Sequence, residues 1–471
     1  MPRIPVDIAN GFYESFSPQY AGLICNNLRP FTTESPSYSQ TALLQTDGID
    51  SFISTTYKIA RGAIEVFDVS YYVQGNQFIS VSALGVVSSY GSISGTGRVS
   101  IANSQTYIWI VVPGGDSYHF NIGTATLTLN SDVNFLGPAY SVQFKDSFFF
   151  FTTDTIIFNS DLDGITFTPT DYGTAEVDPD TIMTGLELNG QYYALGTRTI
   201  QPYQTTGGAG FPLSPIVSAT VSRGLSGRFA VTKADNTFFF MGGGDQQAVA
   251  IWRFVGNDAV KISTSAIDRY IQALDDDVIQ ACFAFSYQLD GEEYVIFTFA
   301  GRTFVYLVEA SKKIGRHIWS ERSSSGTRWR VNTIVRAHNK IYVGDERTDK
   351  IGILNSETST EYGDTVFREF TTQPFNFDGA PAFVGSYELV MTAGVGNSSS
   401  TNPVVSHSYS SDGINFTPIF TREIGEAGNF SHRVLWRRMG RIERQRVLKF
   451  SVNEPCPIAF YRLEAEVAGG S

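Results

Sequence analysis

Asn159-Ser-Asp161-Leu-Asp163-Gly164 has the Asn-x-Asp-x-Asp-Gly spacing that opens an EF-hand-like calcium loop. Alternate oxygens at that spacing converge on a hard cation. The loop should close with a bidentate Glu at its twelfth position, but Thr170 stands there. The same turn recurs without the flanking acids, Asp163-Gly-Ile-Thr-Phe-Thr-Pro169 against Asp412-Gly-Ile-Asn-Phe-Thr-Pro418, so it reads as a hairpin device. Glycan hydrolysis needs paired carboxylates. Glu292-Glu293 borders a turn and Asp275-Asp276-Asp277 a helix end, where such runs are expected to be solvated. His119, His317, His338, His407 and His432 are scattered, with neither His-Glu-x-x-His nor a Gly-x-Ser-x-Gly elbow. Gly242-Gly-Gly244 leads into Asp245 and not into the Lys of a phosphate loop. Cys25, Cys282 and Cys456 lack metal-ligand spacing and read as free thiols in a reducing compartment. No catalytic, cofactor-binding or metal residue is expected.

The densest functional signal lies near the C-terminus. Seven cations stand between Arg433 and Lys449, against the single acid Glu443. Val434, Trp436, Met439, Ile442 and Val447 interleave with them. Alternating Arg on an antiparallel strand is commonly a solvated face over a core. It is also the composition of an interface, because the planar guanidinium pairs bidentately with carboxylates. Arg433, Trp436, Arg437, Arg438, Arg441 and Arg444 are the candidate interface residues, with Trp436 and Arg438 as candidate hot spots.

This ribbon resembles the C-terminal signature of the tail hub, or packaged-DNA stabilisation, proteins of short-tailed bacteriophages. The residues that carry the likeness are the hairpin Asp412-Gly-Ile-Asn415 and the block Arg433-Val-Leu-Trp-Arg-Arg-Met-Gly-Arg-Ile442. Ser222-Arg-Gly-Leu-Ser-Gly-Arg228, Ile262-Ser-Thr-Ser-Ala-Ile-Asp268, Asp290-Gly-Glu-Glu-Tyr-Val-Ile296 and His317-Ile-Trp319 resemble the family's central region in the same order. The resemblance implies a structural virion protein, not an enzyme. Six copies would form a homo-oligomeric ring below the portal and its adaptor ring. The ring would extend the DNA channel without sequence-specific binding, retain the packaged genome, and anchor the plug or needle and the tailspikes or fibres. A carbohydrate-binding or carbohydrate-active propeller of the tail is the alternative, and a cellular propeller scaffold a third reading.

The elements that would position these residues are short strands. The chain is 42% hydrophobic, 14% aromatic and 17% charged, with 44 glycines, which suits a large core cut by many turns. Apolar strands recur at Gln77–Ser80, Tyr107–Ile110, Phe148–Phe151, Tyr192–Leu195, Phe238–Met241, Tyr294–Phe297 and Ile341–Gly344. Their starts are 30, 41, 44, 46, 56 and 47 residues apart, close to the period of propeller blades. Asn189-Gly190 and Asp290-Gly291 suit tight hairpins. Residues 160–167 look like a degraded Asp-box, a structural turn of sialidase-type propellers, with Leu162 in the Asp place.

The expected fold is all-β, with an extended segment over 1–60, a propeller of six or seven blades over 61–360, and an antiparallel β-sandwich over 361–471. A helix is expected from Ser265, as its cap, to Leu274, ended by Asp275–Asp277, and the polar stretch Asn355–Asp364 reads as a linker. No run approaches the ~20 apolar residues of a membrane helix. The N-terminus lacks a signal-peptide layout, so a soluble protein made in the cytoplasm is expected. From Thr365 onward ten acids balance ten bases, which puts the whole net charge of −12 on the first 364 residues. Such a body repels phosphate, yet suits the wall of a conduit in which DNA must slide.

Overall fold

The apolar runs are punctuated every few residues by turns, and they pair locally into hairpins. The computed structural model describes residues 2–174, 180–207, 210–377 and 380–469. Seven antiparallel four-stranded units, five of them separate sheets and two continued into larger sheets, follow one another and form the blades of a β-propeller. Their innermost strands are Ala60–Val66, Ser100–Asn103, Ser141–Lys145, Ile182–Leu188, Val231–Ala234, Phe283–Leu289 and Val331–Ala337. The seventh blade takes its outer strand, Gly48–Ser54, from the front of the chain, paired antiparallel with Lys350–Asn355. The ring is thus closed by hydrogen bonds between segments some three hundred residues apart.

Six of the recurrent runs lie in the second strand of a blade. Gln77–Ser80 lies in the third strand of blade 1 instead, because the preceding strand, Val69–Gln74, is equally apolar. In six blades the first two strands join through two residues that both have positive φ. Asn189-Gly190 and Asp290-Gly291 are two of these turns. The others are Phe67-Asp68, Asp146-Ser147, Asp235-Asn236 and His338-Asn339, which use no glycine. Neighbouring turns hold each other: Asp68 accepts from the His338 backbone N–H, and Asn189 Nδ2 donates to the Asn236 carbonyl at 3.2 Å.

The sandwich follows in two layers. One sheet orders Val434–Ile442, Ala382–Met391, Ala459–Gly469, Thr41–Gln45 and Leu28–Thr32, with Arg3–Val6 paired on Ala459–Gly469. The other contains Arg368–Thr371, Gln445–Val452, Val404–Ser410 and Phe420–Glu423. The first sixty residues therefore run as short strands through both parts. Cys25–Asn26 lies between the outer strand of blade 6 and Arg368–Thr371, which makes blade and sandwich layer one continuous sheet. A single buried cluster joins the parts, with Val6 and Phe12 from the N-terminal segment, Phe297 and Trp319 from blade 6, and Trp436 and Phe450 from the sandwich. All three cysteines are free and buried.

Several local expectations are corrected. The helix spans Ser265–Gln272, so Ser265 is its first helical residue and Thr264 holds the capping position without a side-chain bond. Asp275–Asp277 do more than end it: Asp275 precedes a second short helix, Asp276–Gln280, whose first-turn carboxylates suit the partial positive charge there. Asn355–Asp364 is no free linker. Thr360–Glu361 pairs with the closing strand, and the buried Glu361 accepts from Trp329 Nε1 at 2.9 Å and Ser324 Oγ at 2.6 Å. Glu292 is not solvated either. It is buried and accepts the backbone N–H groups of Glu309 and Ala310 at the start of the helix Val308–Ile314.

Candidate functional site: the arginine strand

Val434–Ile442 alternates because one face covers a core. Val434, Trp436, Met439 and Ile442 are buried, while Arg437, Arg438 and Arg441 are exposed. Strict alternation would place Arg438 inside, on the face of Trp436. A bulge prevents this. Ser386 faces Arg437 and Val384 faces Gly440, so two residues, Arg438 and Met439, stand opposite one. Arg438 takes φ +60°, a left-handed conformation that glycine adopts far more cheaply. Met439 then turns back into the core and Arg438 stays outside.

A buried cation holds the bulge from below. Arg446 donates to the carbonyls of Met439 and Arg441, both at 2.8 Å, and to Tyr387 Oη at 3.2 Å. Its guanidinium lies 4.1 Å from the Tyr409 ring centre. The basic ribbon therefore divides by burial, with Arg446 a core residue that positions the strand.

The candidate residues have different surroundings. Trp436 is corrected from interface hot spot to core. It is 1% exposed, donates from Nε1 to the Phe420 carbonyl at 3.1 Å, and packs on His407 and Phe450. Arg433 is engaged within the chain, forked onto Glu388 at 2.7 and 2.6 Å. Glu388 also takes Arg3, and these bonds hold its carboxyl below the usual range. Arg441 reaches Glu443 at 3.4 Å and lies over the half-exposed Phe383 ring. Arg437, Arg438 and Arg444 are exposed and make no ion pair among the described residues.

The strand Val434–Ile442, which carries Arg437 and Arg438, is the terminal strand of its sheet, and Arg444 lies in the turn that follows. Charge and a bulge on such a strand are a common defence against unwanted strand pairing. That defence explains exposed arginines but not a left-handed arginine where glycine would serve.

The Asp412 turn lies at the end of the same sandwich. Asp412 accepts from Asn415 Nδ2, from the Asn415 and Ile414 N–H groups and from Ser410 Oγ, which holds its carboxyl well below the usual carboxylate range. Gly413, at φ +74°, lies so close to the Pro18 carbonyl that a Cβ would sit 2.5 Å from it. Gln445 Nε2 donates to the Gln19 carbonyl at 3.1 Å. The N-terminal turn seated there exposes Phe16 (86%) and Tyr20 (78%), next in space to the segment that carries Arg444. No sequence signal pointed to these two aromatics, since the contact joins residues about four hundred apart. Asp161 likewise serves its own turn, accepting from Thr166 Oγ1 at 2.5 Å.

The family description "Bacteriophage P22 Gp10, beta-propeller" matches residues 3–359, and "Bacteriophage P22 Gp10, beta-sandwich" matches residues 367–468. The tail hub protein gp10 of Salmonella phage P22 is 23% identical over 385 residues, which is 79% of this chain and 80% of that protein. Virginiamycin B lyase from Staphylococcus aureus superposes with a TM-score of 0.44 at 13% identity, over 66% of this chain and 99% of that one. The N-terminal domain of Nup159 gives 0.42 at 8% identity, over 70% and 98%.

Proposed function

The chain belongs to the bacteriophage P22 Gp10 family and is a structural protein of a phage tail, not an enzyme, and on that premise we propose that it closes into a ring-shaped hub. Six copies would sit below the portal and its adaptor ring, assembled in the host cytoplasm. The ring would prolong the DNA channel, hold the packaged genome, and carry the plug or needle and the tailspikes or fibres.

One observation carries this reading. Arg437, Arg438 and Arg444 are exposed without an ion pair among the described residues and lie in a C-terminal stretch, 365–471, that carries no net charge, while the −12 lies wholly on the first 364 residues. Two such unlike faces suit a head-to-tail contact between copies, and a head-to-tail contact whose rotation closes makes a ring. Phe16 and Tyr20 add the aromatic component of an interface beside Arg444.

The propeller supports a conduit between copies and not through one copy. Two cavities of about 770 and 250 Å³ lie along its axis and share Arg98, Arg228 and Phe229 in their walls. Cavities of that order suit a small molecule or a short chain segment and not a duplex.

Charge reversal at Arg437→Glu with Arg438→Glu tests the contact. The expected result is a folded chain that no longer assembles onto adaptor-bearing heads. Assembly at the wild-type level would remove the arginine strand from the interface.

A further inference from the structure

On the face of the propeller opposite the left-handed turns, the axial channel opens into a cavity of about 770 Å³. Loops between blades and turns between second and third strands frame it. The wall is largely apolar, with Met183, Leu225, Val249 and Ile279, and among the described residues its charged side chains are Arg98, Arg228 and Asp276. Beyond Arg98, Arg228 and Phe229 a second cavity is lined by the innermost strands of all seven blades.

The two guanidinium groups differ. Arg228 is satisfied: it pairs with Asp154 at 2.7 Å, donates to the Met183 carbonyl at 3.0 Å, and lies 3.6 Å over Tyr140. Arg98 lies 3.9 Å over the Phe283 ring, and its Nη1 donates to the Asn332 carbonyl at 2.7 Å and Oδ1 at 3.3 Å. Its Nε is buried without a hydrogen-bond partner, and it makes no ion pair among the described residues. Burial first, and then the neighbouring Arg328, pushes its pKa down to about 9. A sheltered cation without a counter-charge costs stability that a carboxylate would return, and Nη2 has no hydrogen-bond partner among the described residues while Nη1 is taken by Asn332. The apolar wall calls for apolar groups beside that carboxylate. Asp276 on the same wall favours a ligand that brings one negative charge over one that brings several, such as a polyphosphate.

We propose that this mouth binds an acidic side chain carried on an extended, otherwise apolar polypeptide segment, with the carboxylate on Arg98 and its neighbours on the apolar wall. The ring proposed above is not required for this site.

The test is fluorescence anisotropy of a labelled, end-blocked hexapeptide of Leu and Ala that contains a single Glu, titrated with the full chain. The expected result is binding that weakens at least about tenfold when Glu is replaced by Gln in the peptide, and likewise in Arg98→Met. Asp276→Asn should tighten it. Equal binding of the Gln peptide, or undiminished binding by folded Arg98→Met, would overturn the proposal. Displacement of the peptide by inorganic phosphate or citrate at peptide concentration would also overturn it, because the site would then be one for free oxyanions. If Arg98→Met does not fold, the Glu-to-Gln comparison on the wild-type chain decides alone.

Discussion

At the scale of single residues, Arg438 separates a functional from a structural role. Its left-handed backbone costs an L-residue about 1–2 kcal/mol, and glycine would gain that while losing about 0.5–1 kcal/mol in the unfolded chain. Arg438→Gly is therefore expected to leave stability unchanged or raise it by up to about 1.5 kcal/mol, measured by urea unfolding, while weakening assembly. Trp436→Ala should behave oppositely. It empties a site that is 1% exposed and should cost about 3–5 kcal/mol, whereas Arg437→Ala should stay within about 0.5 kcal/mol. His407, stacked on Phe450 beside Trp436, links this core to pH. Its Nδ1 faces the Lys449 carbonyl at 3.1 Å, and burial lowers its pKa from 6.5 to about 4. Between those values the unfolded chain binds more protons, so stability is complete above pH 6.5 and falls as pH drops toward 4. The full effect is about 3 kcal/mol. Unfolding midpoints at pH 7 and pH 4.5 should converge in His407→Gln. The alternation that separates Arg437 from Trp436 was legible in the sequence. The bulge that expels Arg438 was not, because it depends on the facing strand.

At the scale of elements, legibility followed the turn chemistry. Asn189-Gly190 and Asp290-Gly291 announced their hairpins, whereas Phe67-Asp68 and His338-Asn339 adopt the same positive φ without glycine and gave no signal. The closing strand was hidden for a different reason. Gly48–Ser54 finds its partner some three hundred residues later, beyond any local pattern. Gly48 makes that closure checkable. A Cβ there would strike the Thr358 carbonyl and lie 2.6 Å from that of Thr360. Gly48→Val is expected to cost about 2 kcal/mol or more and to expose the closing strand to limited proteolysis. Resistance equal to wild type would mean that the strand is not the clasp of the ring. Glu292 and Glu361 show the limit of reading charge as surface: both are buried because backbone N–H or side-chain donors from other segments meet them.

At the scale of the whole molecule, propeller and sandwich share one sheet and one core, so the arginine strand is carried on a rigid body. Rigidity suits a part that must repeat at a fixed angle around a ring. The order of propeller then sandwich was legible from strand period and loop length. The stitching of both parts by the first sixty residues was not, since those strands are two to seven residues long.

The central claim is that the chain seals a filled head. The most direct measurement is an infection in which its expression is blocked and the filled heads are treated with nuclease. Heads that package DNA and then lose it are the predicted result. Heads that keep their DNA but fail to adsorb would contradict the claim and place the chain on the receptor side of the tail.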